Sequence, residues 1–93
     1  MMPIEFDPEK SAKNVRERGV GFERFADMEF ETAISVDDTR KNYGERRIRV
    51  LGEIGGELHS AVITPRGEKI RVISLRRANK REERAYAKER QSS

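Results

Sequence analysis

Ninety-three residues, 40% charged and 34% apolar, can build one small core under an almost wholly ionic surface, so the chain reads as a single α+β domain over 1–93, ordered to about residue 90. With no cysteine, disulfides and thiolate chemistry are excluded, and no apolar run approaches the ~20 residues of a membrane span. The net charge of +3 is unevenly placed: basic residues dominate after Glu45 and acidic ones before it, a balance suited to a polyanion or an acidic protein surface.

In chain order, PIEFD alternates and reads as a short strand. Asp7 can cap a helix and Pro8 fits its first position. This helix runs to about Arg18, where Gly19 supplies a left-handed stop. Its apolar content is thin, Ala12 and Val15 on one face. GFERFADM spaces Phe22, Phe25 and Ala26 as a second, short helix. TAISVDD is a strand and DTRKNYGER a polar loop. RIRVLGEI alternates, with Ile48 and Val50 on one side and Arg47 and Arg49 on the other. GGELHSAVIT follows a hairpin turn, and Gly52, Gly55 and Gly56 are read as turn residues. PRGE is the next turn and KIRVISL the last strand. ANKREERAYAKER forms the C-terminal helix, where Asn79 as cap and Glu82 three residues on make a capping box. The expected architecture is an antiparallel meander of three or four strands, with helices before and after it.

One histidine and no cysteine leave only carboxylates as further metal ligands, and none has metal-site spacing; neither a metal nor a small-molecule cofactor is expected. His59 lies mid-strand without a nucleophile motif and reads as packed or hydrogen-bonded. No glycine pattern resembles a phosphate loop. The arginines are more informative. Arg47 and Arg49 on one strand and Lys69 and Arg71 on another can share a sheet face, with Arg66 in the preceding turn and Arg76 and Arg77 where strand becomes helix. Strand surfaces are often charged for solvation alone. The functional reading is a phosphate-binding face, since the planar arginine fork clamps two oxygens at once. Strict alternation sends Arg71 and Arg76 to opposite faces; Arg76 rejoins Arg71 only if the strand ends or twists first.

FDPEKSAKNVRERGVGF, DTRKNYGERRIRVLG and IRVISLRRANKREERAY, in this order, resemble the BrnT family, the toxin half of a bacterial type II toxin–antitoxin pair. The resemblance spans about Phe6 to Tyr86. The family motif D-P-x-K and its following Asn fall on Asp7, Pro8, Lys10 and Asn14. The E-x-R motif falls on Glu45 and Arg47, R-x-I-S-x-R on Arg71, Ile73, Ser74 and Arg76, and the helix Glu and Tyr on Glu82 and Tyr86. Two departures stand out. The family commonly has K-H-G after the first helix, where Arg18 precedes Gly19 here, so no mechanism resting on that histidine carries over. Leu75 stands where the family often has Ala.

The resemblance implies a RelE-like fold and an endoribonuclease that cuts RNA without a metal and stops translation. It also implies a BrnA antitoxin partner that neutralises the toxin in a dimeric, operon-repressing complex. Metal-free cleavage uses the 2′-hydroxyl as nucleophile, and needs a base, an acid and a cation at the phosphate. Arg47, Arg71 and Arg76 suit the cation role. Lys10, Glu45, Tyr43 and His59 are the proton-transfer candidates. Arg49, Arg66, Lys69, Arg77, Lys80 and Arg81 are expected to bind RNA, with Arg84 serving RNA or an acidic partner. The opening MMPIEFDPEK lacks a signal-peptide core, so a cytoplasmic protein with no membrane partner is expected. The competing reading is a non-catalytic nucleic-acid- or partner-binding module, a degenerate toxin acting only in repression; the replaced histidine supports it.

Overall fold

The computed structural model describes residues 3–92. Two helices and a 3-10 turn accompany a five-stranded sheet: β1 (Ile4–Glu5), α1 (Pro8–Arg18), the turn Phe22–Asp27, β2 (Ile34–Asp37), β3 (Ile48–Ile54), β4 (Glu57–Arg66), β5 (Lys69–Arg77) and α2 (Lys80–Ser92). The strand order is β1-β5-β4-β3-β2. β2, β3, β4 and β5 pair antiparallel in succession, while β1 pairs parallel with β5, Ile4 beside Ile70 and Glu5 beside Arg71. The sheet is therefore mixed, which corrects the expected antiparallel meander. A two-residue strand pairing far along the chain leaves no local period to read.

The helix ends follow from capping chemistry. Asp7 accepts from the amides of Glu9 and Lys10, and Gly19 closes α1 at φ 76° with its amide on the Val15 carbonyl. The face of α1 that packs is polar, a second correction. Ala12 and Val15 are exposed, whereas Ser11 is buried and Asn14 half-buried. The Ser11 hydroxyl accepts from the Phe22 amide at 2.9 Å. Asn14 Nδ2 donates to the carbonyls of Val20 and Leu75, both at 2.7 Å. Backbone groups left over at a helix–strand crossing need partners, and these two side chains supply them.

The core lies between one face of the sheet and the segment 20–28. Val50, Ile54, Ala61, Ile63, Val72 and Leu75 bury against Val20, Phe22, Phe25 and Met28. Phe22 and Phe25 keep their inward spacing on a 3-10 turn, whose three-residue period suits it. Gly52 is a mid-strand residue rather than a turn residue. A Cβ there would lie 2.5 Å from Met28 Sδ, so the missing side chain is what lets Met28 reach the sheet. Gly55 and Gly56 do form the β3–β4 turn, with φ 59° and 81°.

A bulge in β5 decides what the opposite face carries. Val62 pairs with Ser74, but Ile63 pairs with Val72, leaving Ile73 as an extra residue. The bulge resets the alternation. Arg71 stands opposite Thr64, and Arg76 opposite Ser60. Because residues 60, 62 and 64 of β4 share a face, so do Arg71, Ser74 and Arg76. Strict alternation therefore fails along β5, and Arg76 rejoins Arg71 through the bulge, with the strand continuing past it to Arg77. Arg49, opposite Val62, lies on this face too. Arg77, opposite His59, turns to the core side.

Candidate functional site

The outer sheet face is an arginine surface with carboxylates set into it. Arg71 Nη1 lies 3.6 Å from Glu5 Oε2. Arg76 is held on both Nη atoms by Glu82, at 2.8 and 2.9 Å, and Arg49 Nη1 approaches the same carboxylate at 3.1 Å. Glu82 also takes the Asn79 amide at 2.9 Å while its own amide donates to Asn79 Oδ1 at 2.8 Å. The capping box and the ion-pair junction are thus one structure, which pins the start of α2 to β5 and β3. The Arg76 hydrogen bonds, against burial and with help from the Asn79 amide, lower the Glu82 carboxyl to about 2. Farther along α2, the Tyr86 hydroxyl donates to the Thr32 carbonyl at 3.3 Å.

The loop 38–47 makes a hydrogen-bonded rim at the end of this face. The Asp38 amide donates to the Arg47 carbonyl at 2.8 Å and closes the loop. The Asp38 carboxylate takes Arg40 Nε and Nη2 at 2.9 and 2.8 Å, and the Tyr43 hydroxyl at 3.4 Å. Hydrogen bonding from Arg40 holds Asp38 well below the usual carboxylate range. Gly44 turns at φ 73°, its amide on Asn42 Oδ1 at 3.0 Å. The Thr64 hydroxyl anchors the Arg46 carbonyl from β4.

Within this frame Tyr43, Glu45 and Arg47 converge. The Arg47 guanidinium lies over the Tyr43 ring, 4.2 Å from its centroid, a cation–π contact. Arg47 Nε is 3.3 Å from Glu45 Oε2, and Arg66 Nη2 is 3.2 Å from Glu45 Oε1. Residues 37–47 enclose an open cleft of about 590 Å³, lined by Tyr43, Glu45, Arg46 and Arg47 among others.

Of the residues singled out from sequence, the structure joins Tyr43, Glu45, Arg47 and Arg66 in one cluster, and Arg49 and Arg76 in another around Glu82. Arg71 and Lys69 lie on the same face. Lys10 is exposed on α1, and no hydrogen bond or ion pair joins it to these clusters among the described residues. Lys80 and Arg81 are exposed on α2, Lys80 Nζ lying 4.0 Å from Glu83 Oε1. Arg77 pairs with Glu57 at 2.7 Å on the other face, beside His59, whose Nδ1 meets the Glu57 carbonyl at 2.8 Å. The Asp38–Arg40 frame went unnoticed in the sequence; the signal was present in DDTR, an Asp two residues before an Arg inside a polar loop.

No helix among the described residues is long and apolar enough to cross a membrane. No curated protein matches the chain. A protein-family model described as the ribonuclease toxin BrnT of type II toxin–antitoxin systems matches residues 6–82, from the start of α1 through the Glu82 junction. The chain therefore belongs to the BrnT family of type II ribonuclease toxins, for which RNA is the substrate and an antitoxin the partner.

Proposed function

We propose that the chain is a metal-independent endoribonuclease, cutting RNA at the cleft where loop 38–47 meets the arginine face and so inhibiting translation. The observation that most supports this reading is the setting of Arg47. Its guanidinium rests on Tyr43 at 4.2 Å and Glu45 takes Nε, which leaves both Nη groups for phosphate oxygens. A planar fork held by other groups is suited to the charge that builds on a pentacovalent phosphorus.

In this reading Glu45 accepts the 2′-hydroxyl proton as the O2′–P bond forms and the P–O5′ bond breaks. The Tyr43 hydroxyl supplies the proton to the 5′-oxygen. The products are a 2′,3′-cyclic phosphate and a 5′-hydroxyl. Arg71 joins Arg47 at the phosphate, while Arg49, Arg66 and Lys69 position the flanking backbone. Glu45 and Tyr43 take the proton-transfer roles, because Lys10 is not joined to the cluster. The fold is read as a RelE-like variant of one domain with a parallel edge strand added. The partner is read as a BrnA-like antitoxin in a dimeric complex in the cytoplasm.

Cleavage of RNA by the purified chain should survive EDTA. Activity abolished by chelation and restored by Mg²⁺ would overturn the mechanism. A saturating antitoxin should raise the melting temperature, since a ligand bound only by the folded state stabilises it.

The alternative, a non-catalytic binding module acting in repression, is favoured by one observation: Glu82 already occupies Arg49 and Arg76. Expressing the chain alone in bacteria separates the two readings. Growth arrest relieved by the antitoxin supports the enzyme, and unimpaired growth supports the module.

A further inference from the structure

At the other end of β3, seven residues or about 23 Å from the Arg47 cleft, a second group of cations gathers on the core side of the sheet. A cavity of about 260 Å³ opens between the C-terminus of α1, the 3-10 turn and the β3–β4 hairpin, lined by Arg18, Arg24, Gly55, Glu57, His59 and Arg77 among others. Arg77 reaches Glu57 through Nη2. Arg24 uses Nε on Asp27 at 2.9 Å, while its Nη2 lies 3.9 Å from where a Cβ on Gly55 would stand; the outer edge of this guanidinium therefore faces the hairpin. Arg18 has no ion pair among the described residues. With Asp27 set against Arg24 and Glu57 against Arg77, the three guanidiniums keep one net positive charge at the cavity.

His59 adds a directional group. Its residue is 7% exposed. The Glu57 carbonyl can only accept, so Nδ1 carries the proton in the neutral ring and Nε2 holds a lone pair. Among the described residues no fully buried side-chain nitrogen or oxygen lacks a partner, and no bond to Nε2 is formed. Nε2 therefore keeps some exposure to solvent, and His59 lines the cavity. A cavity offering arginine forks and one imidazole acceptor matches a phosphate with a hydroxyl beside it, which in a nucleic acid is the ribose 2′-hydroxyl.

We propose that this cavity is a second ribonucleotide-binding site, in which Arg18, Arg24 and Arg77 hold a phosphate and His59 Nε2 accepts a hydrogen bond from the neighbouring 2′-hydroxyl. For the identity of its ligand it rests on the RNA-substrate reading. It does not depend on where cleavage occurs.

The chain has a single histidine, so its imidazole NMR signals report this cavity without ambiguity. The wild-type chain is titrated with adenosine 3′-monophosphate, which cannot be cleaved, and with the 2′-deoxy counterpart. The ribonucleotide should move the His59 ring signals saturably, and the deoxy compound should bind about three- to tenfold more weakly, the scale of one lost hydrogen bond. Arg18→Ala and, independently, Arg77→Gln should each raise the half-saturating concentration about tenfold, as for a lost charge-assisted bond. Arg47→Ala should leave it unchanged. Equal binding of the two nucleotides, no movement with either, or loss of the response in Arg47→Ala would overturn the proposal. Abolished cleavage in Arg47→Ala with the His59 response intact supports both sites, whereas unchanged cleavage in that variant faults the cleft alone.

Discussion

Replacing Glu82 by Gln tests the charge at the β5–α2 junction while sparing its shape. The Gln amide oxygen can still accept from the Asn79 amide, so the capping box survives. What is lost is the carboxylate shared by Arg76 and Arg49 at 2.8–3.1 Å. Lowering of the carboxyl from 4.5 to about 2, chiefly by the Arg76 hydrogen bonds, corresponds at most to ~3.4 kcal/mol at about 1.36 kcal/mol per pKa unit. Glu82 is 12% exposed, but Arg49 and Arg76 are 21% and 31% exposed, so solvent screening reduces this to roughly 1–2 kcal/mol. For a domain of this size that lowers the melting temperature by about 5–15 °C. The folded-state value lies below the unfolded one, so the stabilisation is complete above pH 4.5 and is lost as pH falls toward 2. Urea unfolding followed by circular dichroism should show a clear gap between wild type and Glu82→Gln at pH 7, closing near pH 2. Equal stability at pH 7, or a gap of constant size down to pH 2, would refute the assignment.

Asn14→Ala strands the Val20 and Leu75 carbonyls at the α1–β5 crossing and should cost about 2–3 kcal/mol in chemical denaturation; a near-native midpoint would show that water replaces the amide without loss. Gly52→Ala drives a methyl into Met28 and should destabilise by roughly 1–3 kcal/mol, measured by thermal melting; an unchanged melt would mean that Met28 moves aside freely. Arg71→Ala should keep the circular dichroism spectrum and lose about 10²–10³ in cleavage rate, the scale of a lost oxyanion donor, with Arg71→Lys recovering only part. A folded Arg71→Ala chain cutting at the normal rate would remove Arg71 from the site.

Features made by neighbours in sequence were legible. Asp7 with Pro8, Gly19, and Asn79 with Glu82 announced the helix ends, because each acts over two to four residues. The alternation in β3 revealed its two faces, and YGERR sets Tyr43, Glu45 and Arg47 within five residues of one another. Features made by pairing were hidden. Ile73 becomes a bulge only through the register of β5 on β4, and that one residue moves Arg76 to the side of Arg71. The parallel β1–β5 contact joins the two ends of the sequence. The apolar face of α1 was read as Ala12 and Val15, whereas the residues that pack are Ser11 and Asn14, which satisfy backbone groups inside the crossing. Arg18, Arg24 and His59 meet only because the end of α1, the 3-10 turn and the β3–β4 hairpin fold to one place.

In the proposed function Arg47 serves an RNA-cleaving cleft that works through the 2′-hydroxyl. The most direct test is to incubate a short RNA, and the same RNA with a single 2′-O-methyl group at the cut site, with the wild-type chain in EDTA, and to identify the new ends. The unmodified RNA should yield a 2′,3′-cyclic phosphate or 3′-phosphate end, the methylated one should stay uncut, and a folded Arg47→Ala chain should cut about 10²–10³ more slowly. A 5′-phosphate end, cleavage of the methylated RNA, or an undiminished rate in Arg47→Ala would contradict this reading.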